Sequence, residues 1–256
     1  MRNLLFAISA ACCVCVAGTR VVDGNLALNV QDGDVQTFDE DLLFQGWSRV
    51  FTIPAGGTAV FNGNLAMATP EGNSVFVGGA GTKVIRGGIR MDADTNEDND
   101  ANAKAPRFQG GEWILESDLD LARYVIGGIS EADAAHVVVT NGAKIRNWGA
   151  GKNSFIQSCT IDLRGGRFVN DSNLIFAQDV HSHAHVHIFR DGLFDTGMIS
   201  FRCGNNGFAE FTVEEGGTLF WRQGGFSEKR EGSGTPRQAW LNYHDERNMN
   251  HKQTEM

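Results

Sequence analysis

Apolar and polar positions along the chain follow a block of the form apolar-x-apolar-x-x-Gly, repeated at a near-constant interval. The second apolar position falls at Val60, Val84, Phe108, Val139, Leu163, Ile188 and Val213, separated by 24, 24, 31, 24, 25 and 25 residues. Most blocks reach a glycine three residues later, at Gly63, Gly87, Gly111, Gly142, Gly166 and Gly216; Asp191, followed by Gly192, takes that place once. A fixed period in this range belongs to stacked supersecondary units.

Aligned on Gly142, Gly166, Asp191 and Gly216, the later repeats resolve into columns. Ala135, Cys159, Ala184 and Ala209 form one, and Val137, Ile161, Val186 and Phe211 the next. Val139, Leu163, Ile188 and Val213 form a third, and Ile145, Val169, Phe194 and Leu219 a fourth. Positions between them are mostly polar, among them His136, Thr160, His185 and Glu210. Period-2 alternation is the strand signature, with the apolar set facing in. A column that recurs with the coil places like side chains about 4.8 Å apart, the spacing of paired strands.

These observations predict an all-β fold, a right-handed parallel β-helix of about seven coils, with a second strand per coil around Val75–Val77, Tyr124–Ile126 and Leu174–Phe176. A β-sandwich is the alternative, since it too has short strands and many turns. The 31-residue interval reads as 24 plus an insertion of 7 within Ser117 to Ala135. Residues 18–49, with Phe38, Leu42, Leu43, Phe44 and Trp47, are expected to cap a β-helix over 50–226. Residues 227–256 read as a polar linker with a C-terminal cap or tail.

Composition adds compartment and partner class. Gly is abundant at 32 residues and Pro scarce at 4, which fits many tight turns between short strands. The formal charge of -9 argues against nucleic acid, whose phosphates call for clustered Lys and Arg. Arg2, the apolar run Leu4 to Val16 and the small residues up to Ala17 read as a signal peptide over 1–17, so a secreted or bacterial cell-surface protein is expected. A lipoprotein acylated at Cys12 is the weaker variant. No transmembrane segment is expected in the mature chain, where Cys159 and Cys203 read as buried free thiols rather than a disulfide.

The phrases Gly57-Thr58-Ala59-Val60-Phe61-Asn62-Gly63, Gly81-Thr82-Lys83-Val84-Ile85-Arg86-Gly87-Gly88 and Gly216-Gly217-Thr218-Leu219 resemble the Gly-Gly-Thr-Leu repeats of autotransporter passengers. The resemblance covers roughly residues 50 to 222. It implies a pectin-lyase-like right-handed β-helix at the bacterial surface, often an adhesin. Such proteins end in a membrane β-barrel, and nothing after Trp221 is long enough to form one.

Candidate chemistry sits at three places. His181, His183, His185 and His187 alternate along one strand and point outward, with Asp162 beside His187 and Glu210 beside His185 in the column alignment. Imidazoles with a carboxylate suit Zn²⁺, so His183, His185, His187, Asp162 and Glu210 form a candidate metal set; an exposed polar strand is the plainer reading. Asp92, Asp94, Asn96, Asp98 and Asp100 space oxygens as in the start of a calcium loop. Glu97 and Ala103 replace the turn Gly and closing Glu of such a loop, so a solvated acidic loop stands beside calcium. Asp162, Arg164 and Arg190, with Arg167 and Arg202, are candidates for a polysaccharide lyase or glycoside hydrolase patch, although no pair of poised carboxylates is visible. No Gly-x-Ser-x-Gly, P-loop or Cys-x-x-Cys motif supplies another reaction class in the mature chain. The favoured reading is a structural or adhesive β-solenoid that contacts glycans or another cell surface.

Overall fold

The computed structural model describes residues 18–23, 26, 28, 30–45, 49–67, 76–91, 105–149, 151–176, 182–201, 208–221, 227–228 and 238–243. The proposed signal segment, Cys12 and Cys203 lie outside them.

Within these residues the chain is a parallel β-solenoid. A nine-stranded sheet, face one, begins at Val35–Phe38 and ends at Gln238–Tyr243. A 15-stranded sheet folds around the rest of the coil as faces two and three, joined by the long strands Arg167–Phe176 and Leu193–Phe201. A typical coil runs through Ala135–Thr140 on face one, Lys144–Asn147 on face two and Asn153–Ile156 on face three, and Cys159–Arg164 then pairs on Ala135–Thr140. Every pairing between named strands is parallel, which sets the sandwich alternative aside. The same pairing begins at Thr19–Asp23, so strands also lie within the stretches read as caps.

The interior follows from the alternation. On face one Phe38, Phe61, Ile85, Leu115, Val139, Leu163, Ile188 and Val213 form one inward column, all buried. Face two contributes Leu42, Leu65, Ile89, Leu119, Ile145, Phe168 and Phe194. The rings of Phe168 and Phe194 stack with centroids 4.7 Å apart. Face three adds Phe108, Ile126, Ile156 and Phe176. Like apolar side chains stacked on successive coils exclude water, which is the main stabilising term; Lys83, Asn147, Asn170 and Thr196 are buried polar exceptions.

Three register expectations are corrected. In the early coils the step from face one to face two is two residues shorter, Phe61 to Leu65 against Val139 to Ile145, and glycine follows Phe61 and Ile85 by two positions and Val139 by three. Alignment on glycine therefore selects Val60 and Val84, which stand on the outer side with Val138. Phe108 belongs to face three, and Gly111 starts a face-one strand with φ of 60°. The same effect moves Val169 out of its column: the turn Arg164–Gly166 is a residue short, and Phe168 takes the inward place.

The enlarged interval lies between Ile85 and Leu115, 30 residues, whereas Leu115 to Val139 is an ordinary 24. Residues 127–134 do form a longer corner, with a 3₁₀ turn at Glu131–Asp133, but the preceding corner of that coil is short and compensates. No helix among the described residues is long and apolar enough to cross a membrane.

Cys159 is a free, buried thiol in the inward column of Ala135, Ala184 and Ala209. Burial pushes its pKa far above the ordinary value, so it behaves as a small apolar side chain.

Candidate functional site

The outer side of face one carries all the described histidines. Strand alternation puts His136 outward on Ala135–Thr140 and His183, His185 and His187 outward on His183–Ile188, because Val137, Ala184 and Val186 occupy the interior. The register places His187 beside Asp162 and Glu210 beside His185, as the columns predict.

The hydrogen bonds follow a different rule. His136 Nε2 lies 3.2 Å from Asp162 Oδ2, although its register partner is Thr160. His185 Nε2 lies 3.1 Å from Thr212 Oγ1, although its register partner is Glu210. His187 Nε2 lies 2.8 Å from Glu214 Oε1, two positions beyond its partner Thr212. In each case the ring reaches diagonally to the residue two further along the next strand, as side chains that lean along the strand direction do.

A connected group results. Glu112 Oε1 is 3.8 Å from His136 Nδ1, so this ring sits between two carboxylates. Asp162 is nearly buried on the outer surface and also accepts from Arg164 Nη2 at 2.8 Å. Arg164 in turn lies over the Phe189 ring at 4.8 Å, and Phe189 contacts the His187 ring at 3.9 Å between centroids. His185 and His187 stack at 5.7 Å. At one border the corner 127–134 reaches across coils: Asp133 O accepts from Gly110 N, Gly128 bridges to Ser158, and Glu131 Oε1 is 2.8 Å from His183 Nδ1. Exposed Ile129 stands on this same corner.

Partial burial lowers the pKa of His185; Glu210 and Asp162 pull it up and His187 adds to the lowering, and burial prevails. At neutral pH this ring is an uncharged donor and acceptor.

The zinc candidates are thus distributed among separate partners. His183 goes to Glu131, His185 to Thr212, His187 to Glu214, and Asp162 to His136 and Arg164. Among the described residues no three His, Cys, Asp or Glu side chains group so as to hold a metal ion. Asp92, Asp94, Asn96, Asp98 and Asp100 lie outside the described residues, as do His181 and Arg202.

Of the candidate catalytic patch, Asp162 and Arg164 meet, whereas Arg190 is exposed in the turn beyond His183–Ile188 and Arg167 is exposed at the start of a face-two strand. Column reasoning missed Glu112, Glu131, Thr212, Glu214 and Phe189. The signal for Thr212 and Glu214 was the diagonal offset; Glu131 comes from a corner that carries no period. No family model, curated protein or solved structure matches the chain.

Proposed function

We propose that this β-solenoid is a secreted or surface-exposed bacterial scaffold whose outer face one makes adhesive contacts with neutral glycans. The observation that carries the reading is the concentration of polar and aromatic groups on the outer side of one sheet. Glu112, His136, Asp162, Arg164, His185, His187, Glu214 and Phe189 are held in a connected group by their mutual contacts. Sugar hydroxyls both donate and accept, so a row of carboxylates and imidazoles suits them, and partners fixed in advance lose little entropy on binding.

The acidic surface favours neutral over anionic chains. On this face Glu112, Glu131, Asp162, Glu210 and Glu214 oppose Arg164. The commitment of Asp162 to His136 and Arg164 supports display over glycoside hydrolysis, which needs two carboxyl groups free to flank one bond. The Gly-Gly-Thr-Leu phrases support kinship with passenger-type surface proteins.

The test is a glycan array followed by calorimetry on the strongest neutral and anionic ligands. Combined substitution of His136→Ala, His185→Ala and Phe189→Ala is expected to weaken neutral-glycan binding at least tenfold, since each lost contact costs about 1 kcal/mol. Absence of binding to any glycan, or binding untouched by the triple substitution, contradicts the proposal.

A further inference from the structure

One inward column of face one runs Gln36, Ala59, Lys83, Trp113, Val137, Ile161, Val186 and Phe211. Lys83 is fully buried there, in a place that a hydrocarbon side chain fills in most other coils. Its Nζ donates to the carbonyl oxygen of Gly79 and, at 2.8 Å, to that of Gly110. Nζ lies 5.1 Å from the centroid of the Trp113 ring, and Trp113 Nε1 donates at 3.2 Å to the same Gly110 oxygen.

Gly79 and Gly110 hold equivalent corners of successive coils, between face three and face one, with φ of 95° and 66°. The Lys83 amine therefore ties one corner to the next where the interval between inward residues is longest in the first part of the stack. Its polar partners are two neutral carbonyls. The other buried charged side chains among the described residues are Arg123 and Asp162, and Asp162 belongs to the outer side of face one. Among the described residues Lys83 has these carbonyls and the ring as its partners and no carboxylate, so its charged form is compensated there by dipoles and a ring face.

We propose that Lys83 is a titratable clasp: as a neutral amine it locks the Gly79 and Gly110 corners together, and its protonation loosens them. Burial lowers its pKa from 10.5 to about 7. The opened or unfolded chain binds the proton up to about 10.5, so between that value and about 7 it holds more protons than the closed form. Closure is therefore tightest at high pH, weakens as the pH falls through this window, and levels off below about 7.

Native-state hydrogen exchange on the full chain, corrected for intrinsic rates, tests this between pH 6.5 and 9.5. Protection across residues 79–85 and 110–115 is expected to rise at least tenfold from the acid to the alkaline end, and to stay flat in Lys83→Met. Segment 159–164 serves as the reference and is expected to show no such rise in either protein. An equal response in Lys83→Met, or no response in the unsubstituted protein, overturns the proposal. Should Lys83→Met fail to fold, the ¹³Cε titration of Lys83 in the unsubstituted protein decides. A midpoint near 7 that coincides with shifts of the Gly79 and Gly110 amides supports the clasp, and a midpoint near the ordinary lysine value refutes it.

Discussion

His136, His185 and His187 choose partners by lean rather than by register. His185 is held uncharged by burial and by the neighbouring His187 ring against the pull of Glu210 and Asp162. Its folded-state pKa lies below 6.5, so its contribution to stability is complete above about pH 6.5. That contribution is lost as the pH falls from there through the lower folded value. Imidazole NMR should show His185 titrating at a pH below 6.5, and His185→Asn should reduce the acid-side loss of stability. A second expectation concerns Asp191, which adopts φ of 64° in a turn where equivalent positions are glycine. Asp191→Gly relieves the left-handed strain at some cost in chain entropy, and urea unfolding should report a gain of about 0.5 kcal/mol.

At the scale of strands and turns, stability is set by inward columns and by corners where coils touch. Leu163 is fully buried between Val139 and Ile188. Leu163→Ala should cost about 3 kcal/mol through lost burial and a cavity that rigid sheets cannot close. Gly87 is constrained differently: a Cβ there would collide with the carbonyl of Gly63 on the preceding coil. Gly87→Ala should therefore destabilise by more than about 2 kcal/mol, measured by the same unfolding transition. At Gly142 a Cβ meets open space, and with φ of 76° only backbone strain of about 1 kcal/mol is expected for Gly142→Ala.

The same distinction explains what could be read in advance. The columns through Val137, Ile161, Val186 and Phe211 were legible because Gly142, Gly166, Asp191 and Gly216 each follow the inward residue of their coil by three positions, so that point marks the face-one register faithfully. Around Phe61 and Ile85 the turn is two residues shorter and glycine comes one position sooner, so it points to the wrong neighbour. The outward histidine strand followed from alternation alone. Its partners did not, because diagonal reach and the Glu131 corner depend on three-dimensional lean and loop path, neither of which leaves a period in the sequence.

For the whole molecule, stacking makes each coil depend chiefly on its neighbours, so the described strands form a nearly one-dimensional array. The display role, the connected polar group and the Lys83 clasp all presuppose one register across face one. Disulfide trapping tests that register most directly. In-register parallel positions on adjacent strands lie about 5 Å apart, within bridging distance, whereas an offset of four residues adds more than about 10 Å. With Cys203 replaced by Ser, the pair His185→Cys/Glu210→Cys is predicted to close an intramolecular disulfide under mild oxidation, while His185→Cys/Glu214→Cys remains reduced. Closure of the second pair in preference to the first, or of neither, would contradict the stacked register on which the face-one site is built.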